Sequence, residues 1–126
     1  MKILILEKCI DVQHSLQSFF EALGHDTMVA DSPVTALSLS RTFDLDILIS
    51  EYFSDDENYL KLFELIKSNK SHAKIIILTA TNYTLDALQP LFDMDVKNIF
   101  QKPINPKIIC YAIDEFAKHK SVSSFN

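Results

Sequence analysis

Four short apolar runs in this 126-residue chain each end on residues that carry charge or form hydrogen bonds. Ile3 to Leu6 leads into Glu7 and Lys8, Ile47 to Ile49 into Ser50 and Glu51, and Ile75 to Leu78 into Thr79 and Ala80. Ile99-Phe100 leads into Gln101, Lys102 and Pro103. If the runs are neighbouring strands, two acids, two amines and a hydroxyl converge at one edge of a sheet. Glu7, Glu51, Lys8 and Lys102 sum to zero charge, the balance of an internally neutralised crevice. Other chemistries are excluded. Gly24 is the single glycine where average usage gives roughly nine, so a P-loop, a GxGxxG turn and a GxSxG elbow cannot be built. Cys9 and Cys110 match no metal-ligand or disulfide spacing and are expected as reduced, largely packed thiols. His14, His25, His72 and His119 show no ligand spacing and are expected on surfaces or helix faces.

The elements that must position these residues follow from periodicity. The isoleucine-rich runs are continuous, as strands covered on both faces are. Val12, Leu16, Phe19, Phe20 and Leu23 fall at helical spacing and Gly24 stands where a helix terminates. His25 to Ala30 predicts a second strand, and Ser32-Pro33 caps a helix running to about Phe43. The acidic stretch Ser54 to Glu57 leads into a helix with Leu62, Phe63 and Ile66 inward, ending near Lys67. Thr84 to Phe92 predicts a short helix that Pro90 should kink or end. Asn105-Pro106 starts a last one bearing Ile109, Ala112, Ile113 and Phe116. Residues 1–118 form one domain, and 119–126 are expected as a flexible tail. Five strands alternating with five helices imply an α/β, doubly wound parallel sheet, whose ligands bind beyond the carboxyl ends of the strands.

Over about residues 2 to 118 the chain resembles the receiver domains of response regulators in two-component systems, and the resemblance implies the strand order 2-1-3-4-5 of flavodoxin-like folds. Lys2 to Lys8 resembles the family's first strand and acidic pair. Asp46 to Glu51 resembles the strand ending in the phosphoacceptor aspartate. Leu78-Thr79-Ala80 resembles the switch-hydroxyl segment, and Phe100 to Pro103 the lysine-proline end of the fifth strand. The family's chemistry uses an aspartate nucleophile, magnesium held by carboxylates and a lysine on the phosphoryl group. Here Glu51 holds the aspartate position, and its extra methylene displaces the carboxylate by roughly 1.5 Å. Lys8 puts an ammonium where the resemblance implies a metal ligand. The family's three carboxylates and lysine sum to −2, against zero here, so no magnesium cofactor is expected. Either the Lys8 ammonium fills the vacated metal position and pairs with Glu51 together with Lys102, or Lys8 turns outward and Glu51 pairs with Lys102 alone. The resemblance also implies that Lys102-Pro103 can be cis.

Ile99 matches the family's mobile aromatic, while alternation sends Phe100 to the opposite face. Thr79 therefore either couples to that position or satisfies local hydrogen bonds. Tyr83, Leu91, Phe92 and Met94 surround the helix carrying Pro90, either as a partner surface or packed inward. The chain is expected to be a non-enzymatic receiver-like module that is not phosphorylated and works through a protein partner: a histidine kinase, an output protein or a second copy. The alternative is an active receiver taking a phosphoryl group from a histidine kinase on Asp55 or Asp56 with Mg2+. A small-ligand crevice is a third reading, without a loop suited to flavin phosphate. A net charge of −5 with scattered basic residues disfavours nucleic acid. The four-residue apolar start is too short for a signal sequence, and no apolar run is long enough to cross a membrane. The expected location is therefore the cytoplasm.

Overall fold

The computed structural model describes residues 1–70, 72–80 and 83–125, with side chains described as far as Lys118. Strands and helices alternate as β1 (Lys2–Leu6), α1 (Ile10–Ala22), β2 (Asp26–Ala30), α2 (Pro33–Thr42) and β3 (Ile47–Glu51). There follow α3 (Glu57–Asn69), β4 (Lys74–Thr79), α4 (Leu85–Asp93), β5 (Asn98–Gln101) and α5 (Pro106–Phe125). The strands are parallel in the order β2-β1-β3-β4-β5, as expected.

The apolar runs are continuous because both faces of the sheet are covered. Ile3, Ile5, Ile47, Ile49, Ile76 and Leu78 face α1 and α5 through Leu16, Phe20, Ile109 and Ile113. Leu4, Leu6, Leu48, Ile75 and Ile77 face α2, α3 and α4 through Ala36, Leu62, Phe63, Ile66 and Leu91. Among the described residues no helix is long and apolar enough to cross a membrane.

Among the described residues two positions take a left-handed φ, and both close helices. Gly24 has φ 90°, its N–H donates to the Glu21 carbonyl, and the His25 N–H donates to the Phe20 carbonyl, which closes α1 in a Schellman motif. The same pair of bonds closes α4, from Asp95 to Phe92 and from Val96 to Leu91, with Asp95 taking the left-handed position at φ 63°. A Cβ at Gly24 would meet no atom within 4 Å, so only the backbone conformation resists a side chain there. Gly24→Ala is expected to cost about 1 kcal/mol, measured as a lower denaturation midpoint with an unchanged slope.

Helix α4 keeps close to the expected Thr84 to Phe92: it continues past Pro90 to Asp93, and Thr84 caps its start by accepting from the Ala87 N–H. A proline there removes a single helical donor, and the residue whose carbonyl loses it, Asp86, is exposed. Cys9 is exposed where a packed thiol was expected, whereas Cys110 packs against the α1/α5 side of the core. His14 and His72 are exposed and His25 is half-buried; the side chain of His119 and the mobility expected of 119–126 lie outside the described residues.

Candidate functional site

Parallel register brings the two acids together. Ile5 stands beside Ile49 and Leu6 beside Ser50, so the next residues, Glu7 and Glu51, lie level on adjacent strands. Alternation also gives Glu7, Glu51 and Lys102 the same parity as Ile5, Ile49 and Phe100 before them. Both carboxyl groups are buried, with Glu7 3% and Glu51 4% exposed.

Each acid has a defined set of partners. The Lys102 ammonium forms an ion pair with Glu7 Oε1, and the Cys9 N–H also donates to the Glu7 carboxylate. Glu51 Oε1 accepts from the Lys8 N–H at 3.0 Å and Oε2 from the Tyr59 hydroxyl at 2.5 Å. Level on adjacent strands, the two carboxyl groups act on each other's ionisation: Glu51 helps to lower Glu7, and Glu7 helps to raise Glu51. Burial pushes Glu51 up, and Glu7 adds to this. Together they outweigh the Tyr59 hydroxyl and the Lys8 N–H, and Glu51 reaches a pKa of about 7. Burial also raises Glu7, but Glu51 together with the bond and the charge of Lys102 overcomes it and holds Glu7 below the usual carboxylate range. Burial and the Glu51 bond push the Tyr59 phenol up, so it remains a neutral donor.

Both expected pairings of Glu51 are therefore corrected. The Lys8 ammonium does not pair with Glu51; it lies 5.4 Å from the centre of the Phe53 ring on an exposed side chain, and only its backbone N–H reaches the acid. Lys8 follows Glu7 directly, so strand alternation turns its side chain away from the face that Glu7 occupies. The ion pair of Lys102 is with Glu7, not Glu51.

The hydroxyl and the fifth strand behave as local structure. Thr79 is buried, and its hydroxyl donates to the Phe100 carbonyl at 3.4 Å. Ile99 packs with the α2–α4 side of the core and Phe100 with the α1/α5 side. Lys102-Pro103 is cis. Asp55 is exposed, and Asp56 caps α3 by accepting from the Asn58 N–H at 3.0 Å.

Of the residues around α4, Leu91 is fully buried and Met94 packs against the core. Tyr83 is half-buried, with its hydroxyl donating to the Tyr52 carbonyl at 3.2 Å. Those three pack inward, and Phe92 alone of the expected surface is exposed. Two residues went unnoticed in the sequence as parts of the site. Tyr59 sits on the buried stripe with Leu62, Phe63 and Ile66, where a phenol needs a polar partner, and that was its available signal. Gln13, buried on α1, donates to the Glu7 and Ala30 carbonyls at 3.0 and 3.3 Å and ties β1 to β2.

The family model described as response regulator receiver domain matches residues 3–114. The chain belongs to that family. The receiver is 30% identical over 103 residues to the Regulator of RpoS of Escherichia coli K12, covering 82% of this chain and 30% of that one. It is 33% identical over 117 residues to the transcriptional regulatory protein FlgR of Helicobacter pylori, covering 90% of this chain and 29% of that one. The receiver thus spans less than half the length of the curated relatives it matches. Its fold is similar to that of a CheY-like receiver domain protein from Methanospirillum hungatei, with a TM-score of 0.83 and 18% identity over 95% of this chain and 96% of that one. This receiver domain is thus a response-regulator module of two-component signalling.

Proposed function

We propose that this receiver is a degenerate one, which takes no phosphoryl group and no magnesium and acts as a non-enzymatic, cytoplasmic protein-binding module. The observation that carries this is the state of Glu51. At the position matching the family's nucleophile stands a longer, buried acid whose two oxygens already accept from Lys8 N–H and Tyr59, and whose ionisation is opposed by burial and by Glu7. A protonated carboxyl is a poor nucleophile, and its displacement misplaces it for in-line attack.

The residues present do not fit magnesium. That ion demands near-octahedral oxygen ligands, whereas Glu7 is committed to Lys102 and Glu51 to its own donors, and the position beside Glu7 supplies Lys8. Asp56 is engaged in capping α3, and Asp55 is exposed and forms no ion pair among the described residues, so neither favours a displaced acceptor. The partner is a histidine kinase, an output protein or a second copy of the chain.

The test is an amide-shift titration of labelled protein with magnesium and then beryllofluoride, followed at Glu7, Lys8, Glu51, Thr79 and Lys102. No shift beyond an ionic-strength control is expected. Saturable shifts at these residues, or acyl-phosphate formation on Asp55 or Asp56, would overturn the proposal.

A further inference from the structure

We propose that the crevice is a proton-binding switch: the Glu7–Glu51 carboxyl pair, closed by Tyr59 and Lys102, takes up and releases one proton, and this sets the position of the β3–α3 segment. The inference rests on the proposal that Glu51 is not a phosphoacceptor.

The geometry supplies the device. Two buried carboxyl groups stand side by side at the ends of β1 and β3, and a single ammonium, Lys102, is ion-paired to one of them, Glu7. With one proton on the pair the three groups are neutral as a set. Without it they hold a net negative charge with two buried carboxylates on adjacent strand ends, which low-dielectric surroundings penalise. The groups around the pair are few among the described residues. Lys8 comes from the β1 end, Asp11 from α1 lines a cavity beside Lys102, Thr79 comes from β4 and Lys102 from β5. Tyr59 comes from α3, and Asp56, at that helix's start, acts electrostatically on Tyr59. Lys8 forms no ion pair among the described residues, so its ammonium is the charge available to an ionised Glu51.

Release of the proton has a route outward. Glu51 is held to α3 by the Tyr59 hydroxyl, and the next residue, Tyr52, donates its own hydroxyl to the Ala87 carbonyl of α4 at 3.1 Å. Phe53 bridges the ring of Tyr59, at 5.6 Å between centroids, and the Lys8 ammonium. Repulsion between the carboxylates therefore acts on a segment, Glu51 to Phe53, that touches β1, α3 and α4 together. The position of Glu51's titration near neutrality supports the same conclusion.

The experiment follows the glutamate side-chain carboxyl carbons and the backbone amides of the full chain by NMR between pH 5 and 9. One carboxyl is expected to titrate near neutrality, with the amides of Lys8, Tyr52, Phe53 and Tyr59 shifting at the same midpoint. Glu51→Gln, whose amide can still donate to Glu7, should abolish that transition, and Glu64→Gln, on an exposed position, should leave it intact. Tyr59→Phe removes a donor that favours the charged form, so it should move the midpoint upward; this keeps the test decisive if Glu51→Gln fails to fold. A carboxyl pair titrating entirely in the ordinary acidic range, or amide shifts that survive Glu51→Gln, would overturn the switch. Magnesium-dependent shifts alongside an intact neutral transition would instead overturn the degenerate-receiver proposal and support proton binding.

Discussion

Lys102→Met is expected to destabilise the domain by about 3 kcal/mol at pH 8, and by much less in acid. The substitution keeps the length of the stem and removes only the charge, so Glu7 is left buried without its ion-pair partner. Breaking a buried pair costs about 3–5 kcal/mol, and Lys102, at 21% exposure, belongs at the lower end because solvent reaches the amine. The pH dependence has a definite sign. Lys102 helps hold the folded-state pKa of Glu7 below its ordinary value, so this stabilisation is present above the ordinary value and is lost as pH falls through the folded one. In the variant that contribution disappears, and the deficit shrinks as Glu7 protonates. Urea denaturation at pH 8 and in acid below the ordinary glutamate range measures both; equal losses under the two conditions would mean the ammonium acts through packing.

Phe63→Ala is expected to cost about 4 kcal/mol, the largest loss from any single truncation beside the site. Phe63 is fully buried on the inner face of α3 and contacts two aromatic rings that serve the crevice. These are Tyr52 at 6.4 Å and Tyr59 at 6.5 Å between centroids. Removing it leaves a cavity under both phenols, and surrounding side chains fill such a gap only in part. Phe63→Leu should cost about 1–2 kcal/mol, since most of the volume stays. Denaturation midpoints give the ranking, and a near-zero loss for Phe63→Ala would show that α3 collapses freely onto the sheet. The same truncation loosens Tyr59, so the link between its hydroxyl and Glu51 should weaken together with stability.

The fold was legible because its causes are local or periodic. Uninterrupted isoleucine runs marked strands covered on both faces, and Ser32-Pro33 gave the start of α2, where the Ser32 hydroxyl accepts from the Thr35 N–H at 3.2 Å. Gly24 marked the end of α1 for a backbone reason that the sequence states by itself. The extent of α4 was less legible, since Asp95 performs at its end what Gly24 does for α1, and aspartate in a left-handed position leaves a weaker mark than glycine.

Which chemical groups stand at the strand ends could be read from the chain alone, because strand length, parallel register and alternation deliver Glu7, Glu51, Thr79 and Lys102 there whatever the finer packing. The pairing among those groups emerges from the folded packing. Lys8 and Lys102 are the same residue type, yet one turns to a phenylalanine ring and the other reaches a carboxylate 95 positions away. That choice depends on side-chain direction and on the cost of burying each charge, which are properties of the assembled crevice. Tyr59, a stripe residue by its periodicity, became a partner of Glu51 for the same reason: a buried phenol and a buried acid each need a hydrogen bond, and the fold sets them within reach.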